Sequence, residues 1–402
     1  MLDRSSSLAF RALLKSATSR ARLDRPAPRL SGLTPTAVAL HAAAISRDTP
    51  RLFVVATDTD VEEMVADARF FLAAMEGLSS DAVERAVLPL PSPEVDPYRG
   101  LAPHLQVASA RARALFALST GTARLVVTSA RALAPRLSAP DRLALAGIVL
   151  APGLEIAPLD LAERLVLAGF SRQDPVDEHS EFCVRGGVVD LYPASETQPV
   201  RLEYIGDIIE SVRRYDAATQ RSLVALDQVV ISPQRELLPA SAPDQSTATT
   251  SGERRPARDI DDEPEAHDRS ASLQDYLRRA GAQAFVFEID DVDDRGRKQE
   301  EQWRAIRSDM AARNRVVPAF EDIATPWNEI RSWLAGASRI SQLAIAEEPG
   351  STTHIAALPV AQHHGRIGDW VTEVRAARSR GDAVVFVANA SGRADRVIEL
   401  LA

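Results

Sequence analysis

Short, largely apolar runs alternate with helix-length amphipathic segments through the first third of the chain. RLFVVAT (51–57), AVLPLPS (86–92) and RLVVTS (124–129) have the character of strands buried on both faces. Between them come a helix after Thr59, with Glu62 placed three residues on as its reciprocal cap, and a second helix at ARARALFAL (110–118). Strands alternating with helices at this spacing predict a parallel sheet of the α/β class. Residues 1–30 read as an amphipathic helix followed by a connector broken at Pro26 and Pro28. The α/β rhythm returns late in the chain, with a helix near 271–280, a strand at AFVFEI (284–289) and a helix through Trp303. Helical stretches around Trp327 and Trp333 follow, then a strand at AVVFVAN (383–389) and a helix at GRADRVIELLA (392–402).

From 146 to 240 the pattern changes to strands and turns, with one helix near LDLAERLVLAGF (159–170) that stops at Gly169. Two runs stand out there, EFCVRGGVVDLYP (181–193) and VRLEYIGD (200–207), separated by a polar turn, Ala194 to Pro199. The Gly186-Gly187 pair interrupts the first run where a β-bulge is expected. Alternation in the second run puts Val200, Leu202 and Tyr204 on a core face and Arg201, Glu203 and Ile205 on the other. Arginine beside an exposed apolar residue is a composition enriched at binding hot spots. Arg185 and Arg201 fit equally well as surface ion pairs with Asp190, Glu203 or Asp207, and the pattern alone leaves both roles open. Residues 241–270 are rich in Ser, Thr, Pro and charge and read as a flexible linker. The expected layout is thus a helix and connector (1–30), an α/β segment (31–145), an inserted small β-rich α+β domain (146–240), the linker (241–270) and a second α/β segment (271–402).

Composition narrows the classes. A length of 402 residues suits two to three domains, and 45% hydrophobic with 26% charged residues is ordinary for a globular chain. A net charge of −9 argues against a dominant nucleic-acid surface, although the first 31 residues are locally basic. The N-terminus lacks a secretory apolar core and no run approaches the ~18 apolar residues of a membrane span, so no membrane partner and a cytoplasmic location are expected. Cys183 is the one cysteine, which excludes an internal disulfide and reads as a small core residue.

Candidate chemistry is sparse. The loop SGLTPTAVALHAA (31–43) precedes a helix, where a phosphate-binding loop would lie. It keeps Gly32 and Thr34, but Val38 stands at the lysine position and Ala39 at the magnesium-ligand position. Asp58 and Asp60 open a helix, which favours capping over metal binding. Asp259, Asp261, Asp262, Glu263 and Glu265 form a solvated run, and His363-His364 has no nearby ligand partner in sequence. No activated nucleophile is evident, so neither a catalytic residue nor a metal site is expected.

The block from Glu181 to Ser222 closely resembles bacterial transcription-repair coupling factors and, more distantly, UvrB of the Uvr excision nuclease. LPLPSPEVDPYRGLAP (88–103), LVVTSARALAPRL (125–137) and LVLAGFSRQDPVDEHSEF (165–182) carry the same resemblance. It implies a degenerate P-loop NTPase-like (RecA-like) parallel-sheet domain in two segments, without a competent ATP site. It implies further that the inserted domain docks UvrA of the Uvr excision nuclease, the damage-recognition ATPase, in nucleotide excision repair. The positions matching the family's contacts are Arg185, Arg201 and Ile205, the last replacing the usual aromatic. The DNA-clamping hairpin of UvrB has no room after Tyr98. In the family, RNA polymerase and DNA are engaged by later domains, with ATP and magnesium in a translocase motor, and a C-terminal domain masks the docking surface. The chain, stopping at Ala402, is therefore expected to be a non-catalytic N-terminal part that takes no cofactor and docks its partner unmasked. The alternative is a nucleotide-dependent DNA-remodelling protein resembling UvrB, which requires the lysine missing at Val38. A third reading is nucleic-acid binding through the basic first 31 residues.

Overall fold

The computed structural model describes residues 4–99, 101–193, 196–240, 267–343, 352–359 and 367–386, with 396 and 399. Its helices are α1 (Arg4–Arg20), α2 (Pro35–Ile45), α3 (Asp58–Glu76), α4 (Ser80–Ala86), α5 (Leu105–Ser119), α6 (Pro140–Leu145), α7 (Pro158–Leu167), α8 (Leu273–Ala280), α9 (Ile289–Ala312), α10 (Phe320–Ile323), α11 (Trp327–Leu334) and α12 (Ile367–Ser379). Strands before the insertion are β1 (Arg29–Ser31), β2 (Arg51–Val55), β3 (Val87–Leu90) and β4 (Leu125–Ser129). The β-rich region holds β5 (Ile148–Leu150), β6 (Ser171–Arg172), β7 (Glu181–Arg185), β8 (Val188–Leu191), β9 (Val200–Ile205), β10 (Ile208–Tyr215), β11 (Ser222–Ala225) and β12 (Val229–Ile231). After it come β13 (Gln283–Phe287), β14 (Ser338–Ser341) and β15 (Thr353–His354).

Strands from both sides of the insertion share one parallel sheet, in the order β15–β1–β14–β13–β2–β4–β3. Every residue of β2 is buried, and alternation divides them between two layers. Leu52 and Val54 join a core with Leu115, Tyr276 and Trp303, from α5, α8 and α9. Phe53 and Val55 pack toward α2 and α3 with Val38 and Leu72, and Phe53 stacks on Phe285 at 4.8 Å. Helices thus cover both faces of the sheet.

Three local expectations are corrected. Helix α3 is capped by Thr57 and Asp60, not Thr59 and Glu62: the Asp60 N–H donates to the Thr57 hydroxyl (3.2 Å), and the Thr57 N–H donates to the Asp60 carboxylate (2.9 Å). The short aspartate side chain at the third helical position reaches back to the cap, and Asp58 accepts from the Ser92 N–H at 2.8 Å. Gly186-Gly187 is not a bulge but a two-residue hairpin turn, since Arg185 pairs with Val188 across antiparallel β7 and β8. Gly186 supplies the left-handed φ of +58° that such a turn requires. Residues 383–386 form no strand, because their backbone finds no ladder partner among the described residues. The remainder of that expected strand, most of the terminal helix, linker residues 241–266 and His363-His364 lie outside the described residues. At the linker's described end, the carboxylate of buried Asp268 accepts from Arg142 (2.8 Å) and from the Ala139 N–H (3.1 Å).

Gly296 shows how closely α9 approaches α11. A Cβ there would lie 2.2 Å from the Trp327 ring, whose Nε1 donates to Asp293 at 2.8 Å. Alanine normally gains about 1 kcal/mol over glycine inside a helix. Here the rigid, hydrogen-bonded indole blocks that gain, and Gly296→Ala is expected to destabilise the fold by roughly 1–3 kcal/mol. A urea midpoint lowered at unchanged slope checks it, and a raised midpoint would contradict the packing.

The β-rich region forms a sheet of order β11–β10–β9–β8–β7–β6, antiparallel except where β6 meets β7. Its core face, with Val189, Leu191, Val200, Leu202 and Tyr204, packs on Leu161 and Leu165 of α7 and on the β5–β12 pair. Polar contacts join this region to the parallel-sheet domain. Arg111 of α5, fully buried, meets Glu236 at 2.6 Å and also donates to the Pro91 carbonyl. The buried Ser180 hydroxyl donates to the Gln234 amide oxygen at 2.7 Å, and Ser109 donates to the same oxygen at 3.3 Å.

Candidate partner-docking site

The register of β7 to β10 decides which side chains share the outer face. Cys183 lies opposite Asp190, and Arg185 opposite Val188. Asp190 lies opposite Arg201, and Val188 opposite Glu203. On the far side of β9, Arg213 faces Arg201, Ser211 faces Glu203 and Ile208 faces Ile205. Directly opposed residues point to one side of a sheet, so these side chains share its outer face, on which Cys183 and Asp190 are buried. The hairpin tips at Gly186-Gly187 and Gly206-Asp207 lie at the same end, joined by the Tyr204 N–H donating to the Gly187 carbonyl at 2.8 Å.

Arg185 and Ile205 therefore come to neighbouring tips, while Arg201 lies further back along β9. Four residues of strand separate Arg201 from Ile205 by about 13 Å, so one partner side chain cannot meet both. Ile205 is 65% exposed and Ile208 beside it is also exposed. The Arg185 side chain is 45% exposed and holds Asp174, with Nε to Oδ2 at 3.0 Å.

Arg201 is more enclosed. Its side chain is 19% exposed, and it grips the buried Asp190 carboxylate through Nε (2.7 Å) and Nη2 (2.9 Å). The guanidinium lies 4.6 Å above the Tyr215 ring, a cation–π contact. The hydrogen bond to Asp190 raises the Arg201 pKa against the opposing effect of burial. Burial pushes the Tyr215 hydroxyl far up, so the ring beneath the cation is a neutral phenol. Burial, reinforced by Asp190, also raises the Cys183 thiol, which makes it a poor thiolate. The expected small buried cysteine is found, with Cys183 only 4% exposed.

The 31–39 loop is packed rather than open. Val38 and Ala39 are buried in the core of α2. Thr34 caps that helix, accepting from the Ala37 N–H at 3.4 Å. The Ser31 and Gly32 carbonyls accept from the Ile355 and Ala357 N–H groups, each at 2.9 Å. A Cβ on Gly32 would lie 2.4 Å from the Ile355 carbonyl oxygen. Among the described residues, no group of three His, Cys, Asp or Glu could hold a metal ion, and no helix is long and apolar enough to cross a membrane.

Ile208, Tyr215 and Gln220 are the residues around Arg201 and Ile205 that the sequence pattern does not single out, Tyr215 being fully buried. The Gly206-Asp207 pair is itself a two-residue hairpin signal and would have set Ile208 opposite Ile205. Nothing local marks Tyr215 or Gln220, which reach Arg201 only through the strand register.

Residues 148–237 match the family described as "UvrB interaction domain". The chain is 34% identical over 190 residues to the transcription-repair-coupling factor of Myxococcus xanthus, covering 47% of this chain and 16% of that protein. To the Mycobacterium tuberculosis transcription-repair-coupling factor it is 32% identical over 257 residues, 61% of this chain and 20% of that protein. It is 34% identical over 91 residues to UvrABC system protein B of Thermotoga petrophila, 23% of this chain and 14% of that protein. The matches thus span a fifth or less of the length of these relatives. The chain carries a UvrB interaction domain over residues 148–237 and is homologous to transcription-repair-coupling factors.

Proposed function

We propose that this chain is a non-catalytic docking module that recruits UvrA, the damage-recognition ATPase of the Uvr excision nuclease, to RNA polymerase stalled at DNA lesions. The observation that carries the reading is that the UvrB interaction domain match spans the whole sheet whose outer face presents Arg185, Arg201 and Ile205. Two cations and an apolar tip on one rigid surface suit a partner with carboxylates around an apolar recess. RNA polymerase, DNA, ATP and magnesium belong, on this reading, to the longer coupling factors and their motor.

Arg185 offers a clean test because its ion pair with Asp174 is exposed on both sides, and such pairs contribute at most ~1 kcal/mol to folding. Arg185→Glu is expected to lose most of the UvrA that the wild-type chain retains in a pull-down. Undiminished capture would remove Arg185 from the interface.

We further propose that the parallel-sheet domain is a degenerate, RecA-like nucleotide-binding fold that no longer holds ATP. Support comes from Val38 and Ala39, which offer neither cation nor hydroxyl, and from residues 355–357, which occupy the carbonyls of Ser31 and Gly32. Calorimetry with magnesium and ATP is expected to show no binding up to ~1 mM. A dissociation constant near 10 μM or tighter would instead favour a nucleotide-dependent DNA-remodelling protein resembling UvrB.

A further inference from the structure

We infer that Asp190 is the positioning residue of the docking face: it fixes Arg201 so that the outer edge of the guanidinium is presented to a carboxylate of the partner. This deepens the docking reading and rests on it. A guanidinium offers its donors along two edges of a planar fork. One edge, Nε with one Nη2 hydrogen, is taken by Asp190 at 2.7 and 2.9 Å. One face is closed by the Tyr215 ring at 4.6 Å. The Tyr215 hydroxyl in turn donates to the Val176 carbonyl at 3.4 Å, within the loop that also carries Asp174 to Arg185.

The other edge is loosely held. Nη1 meets the Gln220 carbonyl and Nη2 the Gln220 side-chain oxygen, both at 3.4 Å, near the limit of a hydrogen bond. Gln220 is kept there by its own turn, with φ at +57° and its amide nitrogen donating to the Ala217 carbonyl at 2.8 Å. An ionised acceptor from a partner makes shorter, stronger bonds than these and displaces the glutamine contacts without disturbing Asp190. The charge around the edge favours an anion. Arg213 stands directly across the ladder from Arg201, and its own acid, Glu203, is 3.7 Å away. A partner carboxylate entering here relieves the repulsion between two facing arginines. Asp190, being 4% exposed, is itself out of the partner's reach and acts only through Arg201.

The test measures affinity of the full 402-residue chain for UvrA with Asp190→Asn and Arg201→Lys, and repeats Asp190→Asn in an Arg201→Ala background. Lysine keeps the positive charge beside Asp190, so the fold is retained, but it cannot grip with one edge while presenting another. Each single variant is expected to bind about tenfold more weakly, and Asp190→Asn to add nothing once Arg201 is alanine. Wild-type affinity in Arg201→Lys would overturn the assignment. So would an Asp190→Asn penalty that persists undiminished in the Arg201→Ala background, since that marks a purely structural role. If Asp190→Asn fails to fold, as circular dichroism would show, Arg201→Lys alone decides. A wild-type chain that does not bind UvrA removes the docking reading, and this assignment with it.

Discussion

Ile205→Glu is expected to weaken binding of UvrA by roughly 30-fold or more, the loss of a hot spot worth about 2 kcal/mol. Its melting temperature should stay within about 2 °C of wild type, because a residue so exposed at a hairpin tip contributes little to folding. The two readouts together separate a contact from a structural residue. Ile205→Glu is a better probe than charge reversal at Arg201. Arg201→Glu would set a second carboxylate against buried Asp190 and strip the cation from Tyr215, so lost binding could reflect lost structure. The substitution also tests what an isoleucine does where the coupling-factor resemblance leads one to expect an aromatic. Ile208, opposite it in register, widens the apolar tip and offers partial compensation for the missing ring. Ile205→Phe is accordingly expected to bind at least as tightly as wild type. Equal binding by Ile205→Glu and wild type would show that the tip lies outside the interface.

The second large effect concerns the junction that carries the β-rich region. Arg111→Ala is expected to cost roughly 3–5 kcal/mol of stability, the usual penalty for breaking a buried ion pair on one side. Arg111 is among the largest fully buried side chains, and the substitution leaves Glu236 without its cation and Pro91 without its donor. Replacing both members together, Arg111→Met with Glu236→Leu, should cost less, since the buried pair is removed whole, although Arg269 then also loses the attraction of Glu236. Urea titration of the two variants checks this, and equal losses would show that packing rather than charge dominates the junction. Because Glu236 lies at the end of the β-rich region in sequence and Arg111 belongs to α5, a loosened junction should also show as earlier proteolysis between the two regions.

The α/β rhythm was legible because central parallel strands are continuous apolar runs: Leu52 to Val55 could hardly read otherwise. The alternation Val200–Leu202–Tyr204 against Arg201–Glu203–Ile205 was legible for the same reason, since one face of β9 is core and the other is not. Strand pairing was not legible where it depended on distant partners. β1 looked like part of a proline-broken connector, yet it lies between β14 and β15, more than 300 residues away. Residues 383–386 have a strand's composition but no neighbour to complete a ladder among the described residues. The glycine pair at 186–187 read as a bulge, and the register of β7 on β8, which depends on pairing rather than local composition, makes it a hairpin turn instead. At the candidate site, the choice of acid for Arg201 followed from a cross-strand register that no local pattern fixes. Asp190, Glu203 and Asp207 were equal candidates until Asp190 was placed directly opposite.

The most direct measurement is a calorimetric titration of the 402-residue chain with purified UvrA, without RNA polymerase, DNA or nucleotide. A one-to-one complex with a dissociation constant near 1 μM or tighter is expected, unaffected by added ATP and abolished by Arg185→Glu combined with Ile205→Glu. No detectable binding at ~100 μM, or binding that the double variant retains in full, would contradict a docking role for this face.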